Sequence, residues 1–334
     1  MMGPMRLPAP LLPYHHCSRG DSIASHQHSI QSAYILCLVA IASLVTATSG
    51  CVSLRKRQVD EQTLSGRQLA SKGVDALQRG RSGDAEQLLS QATKLCPLDE
   101  RIRWHYADTL WSHGAHQRAV QQMEEAVRLS GGNAELRVRL GEMYLALGDL
   151  EKADREAELG LAGNPQLPSG WALKGDVLRQ RGQLDECLCC YHRALGYVPH
   201  YPRVQLALGE TYRDQKRYTR ALATLRALSE GYPVGEVPPQ VTFLQGLTLK
   251  DLGRHDAAAD CLAALAKQGQ PSAELLYHLA DSQMQAGDDV NARLTVQSAL
   301  ALAPEHGPSR ALYEQLQVLQ RRLAAKTDRV GFVP

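Results

Sequence analysis

Residues 134–167 read AELRVRLGEMYLALGDLEKADREAELGLAGNPQL, and this stretch decides the fold. Its first half is a helix-forming segment with a small residue, Gly141, on an otherwise bulky apolar face. Gly148 follows, and glycine enters the left-handed conformation that stops a helix at no steric cost. A second helical segment carries Ala153, and Pro165 closes it because proline cannot continue a helix. The stretch therefore predicts two antiparallel helices that approach closely where Gly141 faces Ala153.

The same punctuation recurs outward from this unit in both directions. Gly80, Gly114, Gly148 and Gly182 stand 34 residues apart, and Gly141, Gly175 and Gly209 keep that step. Ala85, Ala119, Ala153, Cys187 and Ala221 repeat in phase, as do Pro165, Pro199 and Pro233. A fixed period of this size marks a repeat array. In this register units begin at Gly66, Glu100, Ala134, Pro168 and Pro202. Three extra residues, 236–238, precede a sixth unit from Pro239, and a seventh begins at Ala273. One helix pair buries too little to be stable alone, whereas stacked pairs share a continuous core.

The units resemble the tetratricopeptide repeat. Leu140, Gly141, Tyr144, Gly148, Leu150, Ala153 and Pro165 match that family's pattern, and the following unit adds Trp171, Gly175, Gly182, Leu184, Tyr191, Ala194 and Pro199. The resemblance implies an all-α, right-handed solenoid of about seven helix-turn-helix repeats over residues 66–306. Some units depart from the pattern: Lys216 stands at a turn glycine, and Gly131 and Gln270 at closing prolines. Residues 307–326 read as a capping helix, with Leu312, Leu316, Leu319 and Leu323 at helical spacing, and 327–334 as a tail. A terminal repeat needs such a helix to cover its last apolar face.

The N-terminal region reads differently. Residues 22–54 contain no Asp, Glu, Lys or Arg, and Ala33–Ala47 is an almost unbroken apolar run. The run is short for a membrane span, which needs about 20 residues, and suits the hydrophobic region of an export signal. It leads into Thr48-Ser49-Gly50-Cys51, which resembles the lipobox of bacterial lipoproteins. That resemblance implies cleavage before Cys51, lipidation of Cys51, and a mature protein held at the bacterial cell envelope, with 51–65 as a tether. Arg55-Lys56-Arg57 directly after the run oppose export, so a retained single-span anchor stays open as the alternative.

Charge and motifs bound the function. Lys and Arg total 37 against 35 Asp and Glu, which leaves no clustered basic field for nucleic acid. No phosphate loop, nucleophile elbow or zinc-protease motif is present, so neither catalysis nor a cofactor is expected. Cys187, Cys189, Cys190 and His192 are the right ligand types for zinc. Residues two apart on a helix face different ways, however, so this reads as packing and surface thiols.

In the tetratricopeptide family the first helices line a concave groove, into which positions 5, 9 and 12 of each unit point. The resemblance thus nominates Trp104, Asp108 and Trp111 in the second unit and Glu142 and Leu145 in the third. It nominates Asp176 and Arg179 in the fourth unit, and Glu210 and Arg213 in the fifth. Exposed Trp beside charge is the makeup of a binding hot spot. Asp176 with Arg179, and Glu210 with Arg213, are spaced to satisfy each other along one helix. The expected partner is a segment of another protein, with apolar anchors at one end and acidic residues facing Arg179, Arg213 and Lys250 at the other. The expected role is a membrane-tethered scaffold. The alternatives are a non-catalytic targeting subunit of an envelope polysaccharide or peptidoglycan enzyme complex, and an anchored adaptor facing the cytoplasm. Oligomeric state is left open.

Overall fold

The computed structural model describes residues 60–233 and 235–330, with side chains to residue 321. Cys51, the apolar run before it and the last four residues of the tail lie outside the described residues. Helix α1 spans 60–78. It is followed by α2 (Ser82–Leu95), α3 (Glu100–Ser112), α4 (His116–Leu129), α5 (Ala134–Ala146), α6 (Leu150–Gly163), α7 (Pro168–Gln180) and α8 (Leu184–Tyr197). The array continues with α9 (Pro202–Asp214), α10 (Tyr218–Glu230), α11 (Pro239–Asp251), α12 (His255–Gln268), α13 (Ala273–Gln285), α14 (Asp289–Leu302) and α15 (Gly307–Val330). Helices α1 to α14 pair into seven repeats of a right-handed solenoid, α15 caps the last, and no strand occurs among the described residues.

Local chemistry starts and stops these helices. Asp99 accepts from the Arg101 and Ile102 amides, Asn133 from those of Glu135 and Leu136, and Asp288 from that of Asn291. These side chains satisfy amides that a helix N-terminus leaves free. Pro168, Pro202 and Pro239 occupy the first helical position, where the missing N–H costs nothing. At the turn between α9 and α10, Lys216 holds φ at 58°, the left-handed value that glycine takes at the matching turns. The repeat geometry imposes this conformation even on a residue for which it is costly.

The close approach between paired helices has a more specific basis than facing small residues. Ala85, Ala119, Ala153, Cys187, Ala221, Ala258 and Ala292 are fully buried. Over Gly141 lie the Ala153 carbonyl, as expected, and Leu173 from α7, whereas over Gly73, Gly175, Gly209 and Gly246 lies the large side chain one turn after the small residue of the second helix. A Cβ on Gly175 would meet the Tyr191 ring at 2.5 Å, and one on Gly209 would meet Leu225 at 2.8 Å. Buried hydroxyls on the first helices return to their own helix: Thr109 donates to the His105 carbonyl, Thr211 to Ala207, Thr248 to Leu244 and Ser282 to His278. The burial therefore leaves these groups hydrogen-bonded.

Both ends extend beyond the expected boundaries. Residues 60–65 are helix where a tether was expected. The Cys96 thiol lies against the Gln62 and Thr63 carbonyls of this segment. Helix α15 passes residue 326 to Val330, because no breaker intervenes before Gly331. No helix among the described residues is long and apolar enough to cross a membrane.

Candidate binding groove

The odd-numbered helices α1 to α13 stack side by side and line the concave face. Of their ninth and twelfth positions, only Leu247 is fully buried; the others are partly exposed side chains. Trp104, Asp108 and Trp111 share one face of α3. Trp104 is partly buried against the core that runs from α3 to α7, and Trp111 packs against both that core and the preceding one. The Trp104 ring lies parallel to His105, with centroids 5.4 Å apart, and its Nε1 is shielded from solvent without a hydrogen-bond partner among the described residues. Burial lowers the pKa of His105 and keeps its imidazole neutral beside the indole. Trp111 meets the His116 ring at 4.4 Å.

The charged positions pair mostly between repeats; Arg139 with Glu142 is the bridge in this set that stays within one helix. Arg139 donates to Asp108 at 2.8 Å and to Glu142 at 3.1 Å. Arg203 reaches back from the start of α9 to both Asp176 of α7 and Glu142 of α5. The Tyr191 hydroxyl also donates to Asp176, at 2.6 Å. Arg179 pairs with Glu210 at 2.5 Å, Arg213 with Asp251 at 2.7 Å, and Lys250 with Asp281 at 2.9 Å. The spacing-based pairs Asp176–Arg179 and Glu210–Arg213 are thus replaced by bridges to neighbouring units. The reason is geometric: on stacked helices a side chain on the next first helix is as near as one a turn away, and it offers better directed oxygen atoms. Arg139, Arg203 and Asp251, which complete this ladder, sit outside the three groove positions read from the repeat. Their only sequence signal is a charge near the start, middle or end of a first helix.

The ladder changes what the groove offers a ligand. Arg179, Arg213 and Lys250, expected to attract acidic residues, already have carboxylates supplied by the chain. A cavity of about 290 Å³ remains between Leu145, Arg179, Arg203, Leu206 and Gln240, and a larger one of about 770 Å³ opens between α1 and α3 beside Val74, Asp75, Arg101 and His105. The fifth position carries partly exposed Leu206, Phe243 and Tyr277 in the last three repeats.

The cysteines occupy separate surroundings. Cys187 and Cys190 are buried while Cys189 is exposed, so one thiol of the trio meets solvent. Burial pushes the Cys190 thiol up to about 11, away from the thiolate that metals and electrophiles need. His192 instead meets the Tyr212 hydroxyl at 2.8 Å.

One tetratricopeptide repeat family profile matches residues 71–134, 172–235 and 243–306, more than half of the chain, and a second matches 110–177. Among curated proteins, the mouse outer dynein arm-docking complex subunit 4 is 31% identical over 92 residues, which are 28% of this chain and 15% of that protein. The chain thus spans about a seventh of that relative. Among solved structures, a tetratricopeptide repeat protein from Parabacteroides merdae superposes with a TM-score of 0.56 at 16% identity, covering 76% of this chain and 99% of that one. PilW, described as a type IV pilus biogenesis factor, gives a TM-score of 0.56 at 17% identity, covering 60% of this chain and 91% of its own. Such identities speak to the fold. Solenoids of this kind act as protein-interaction scaffolds and are generally non-catalytic.

Proposed function

The chain belongs to the tetratricopeptide repeat family, and on that premise we propose that it is a non-catalytic scaffold holding a segment of another protein along its concave face, tethered to a bacterial membrane through its N terminus. The observation that carries the groove reading is the second repeat. Two indoles flank a carboxylate on one helix face, both partly exposed, and one keeps an N–H without a partner. The exposed parts of the two rings offer a ligand large apolar contact area. An extended or helical segment with large apolar side chains suits this end. The uncharged run through residues 22–54 and Cys51 support the tether, and the fold shared with a pilus biogenesis factor is in keeping with an assembly role at the envelope.

Cross-linking and affinity purification from native membranes test the reading. One partner recovered by the wild-type protein and lost on Trp104→Ala is the expected result; recovery unchanged by Trp104→Ala, with the fold intact, places binding elsewhere. For the tether, Cys51→Ala should abolish lipid labelling and leave an unprocessed precursor. A wild-type N terminus found upstream of Cys51 removes the lipoprotein reading.

A further inference from the structure

The junction between the sixth and seventh repeats departs from the chain's own pattern. Gln270 replaces the closing proline. The Cys96, Ser130, Asn164, Val198 and Ala303 amides each return to a carbonyl of the helix they follow. After α12, Gly269 runs into extended backbone, and no such bond forms among the described residues. The carbonyl that such a bond would occupy is left open to a donor, and Lys267, exposed in the last turn, is the cation of the chain at this end of α12.

A cavity of about 400 Å³ opens at this junction, walled by Pro239, Phe243, Leu265, Pro271 and Leu275. Enclosed apolar cavities of about 150 Å³ already accept a benzene ring, so there is room for one large apolar side chain and its flanking backbone. The charged side chain of the lining is Glu274, exposed in the first turn of α13 and without an ion pair or hydrogen bond among the described residues. Its carboxylate and the open end of α12 are two independent negative features beside one apolar hole. The cavity continues the groove, because Gln240 lines both it and the cavity beside Arg203, and donates to Glu210.

We propose that this cavity is a side-chain pocket for an extended segment of another protein, taking a large apolar residue that is flanked by Lys or Arg. The proposal rests on the groove reading for the path of the segment, but the pocket stands on its own lining. The cation would sit between the Glu274 carboxylate and the carbonyls of α12, while the neighbouring apolar side chain replaces water against Phe243 and Leu265.

The test is a random dodecapeptide display library selected on the full chain, with the recovered peptides measured by fluorescence anisotropy. Gln268→Trp, at an exposed position on the rim, should fill the hole, and Glu274→Lys should invert its charge. Gln268→Trp should leave the thermal midpoint unchanged because the position is exposed, while Glu274→Lys should lower it slightly, since it puts a cation in the first turn of α13; Glu274→Gln, which removes the charge without reversing it, is the matched control. Recovered peptides should pair a large apolar residue with a nearby Lys or Arg, and each substitution should weaken them by about tenfold or more. Peptides that bind both variants as tightly as wild type, yet are lost on Trp104→Ala, would overturn the pocket and leave the groove reading standing. Peptides lost on Gln268→Trp and Glu274→Lys but unaffected by Trp104→Ala would establish the pocket and remove the second-repeat reading. A library that yields no binder sensitive to either rim substitution overturns the pocket. So does self-association of the wild-type chain that Gln268→Trp abolishes, since a second copy would then be the occupant.

Discussion

The second and fourth repeats present the same three positions to the groove and differ at the outer two, since the carboxylate between them is bridged to another unit in both, Asp108 by Arg139 and Asp176 by Arg203. In α3 these are Trp104, Asp108 and Trp111; in α7 they are Ala172, Asp176 and Arg179. Ala172 is buried, Asp176 receives both the Tyr191 hydroxyl and Arg203, and Arg179 is held by Glu210. The fourth repeat has spent its polar groups on its neighbours. The second keeps two partly exposed indoles and an unmatched N–H. On the proposed reading, a repeat position serves binding only where the chain does not already satisfy it.

The sharpest way to break the comparison is to attack the fourth repeat as structure. Tyr191 is fully buried over Gly175 and anchors Asp176. Tyr191→Ala should cost about 3–5 kcal/mol in urea denaturation, the range for losing a buried aromatic. A loss near zero would mean that the centre of the array is no more built than its ends.

Trp104→Ala and Trp111→Ala probe the other side. Each should weaken the recovered partner by about 2 kcal/mol. Trp111 touches two core clusters, so its removal should also lower the melting temperature, and Trp104→Ala should lower it less. If Trp111→Ala reduces stability while affinity per folded molecule is unchanged, Trp111 is core and the contrast rests on Trp104 alone.

Arg203 sharpens the comparison through shape. Its bridge to Glu142 skips a repeat, the partners standing 61 positions apart, whereas solenoid contacts ordinarily join nearest neighbours. Its side chain is 47% exposed, so solvent screening limits the stability lost in Arg203→Ala to about 1 kcal/mol. The larger signal should be in small-angle scattering. The variant should be more open than wild type at low salt, and the two should converge as salt screens the bridge. Identical profiles at low salt would remove the curvature role.

The smallest effect is expected at His278, between α11 and the end of the ladder. Burial first, then Lys250 at 3.2 Å and the more distant Arg213, lower its pKa below 6.5 against the opposing pull of Glu274 and Asp281. The unfolded chain therefore binds the proton more readily than the folded one. As pH falls below about 6.5, wild type should lose stability that His278→Gln retains, and above about pH 7 the two should run in parallel. Parallel curves throughout would mean that the imidazole is solvated in the folded state.

The 34-residue phase, the turn glycines and the closing prolines determine the helix pairs, their order and the face each turns to its neighbour. Those are local decisions, made by backbone sterics within one unit, and they are legible without any tertiary contact. Lys216 shows how strong that phase is, since it takes the left-handed turn without being glycine. The tertiary structure alone decides which charge meets which. Arg203 finds Glu142 because stacking and twist bring the start of α9 beside α5, and no spacing rule connects positions that far apart. It likewise decides that Tyr191, not Cys187, covers Gly175, and that the end of α12 stays open at Gly269. Local pattern places a residue on a face, but whether its polar groups remain free depends on distances to repeats the pattern does not relate.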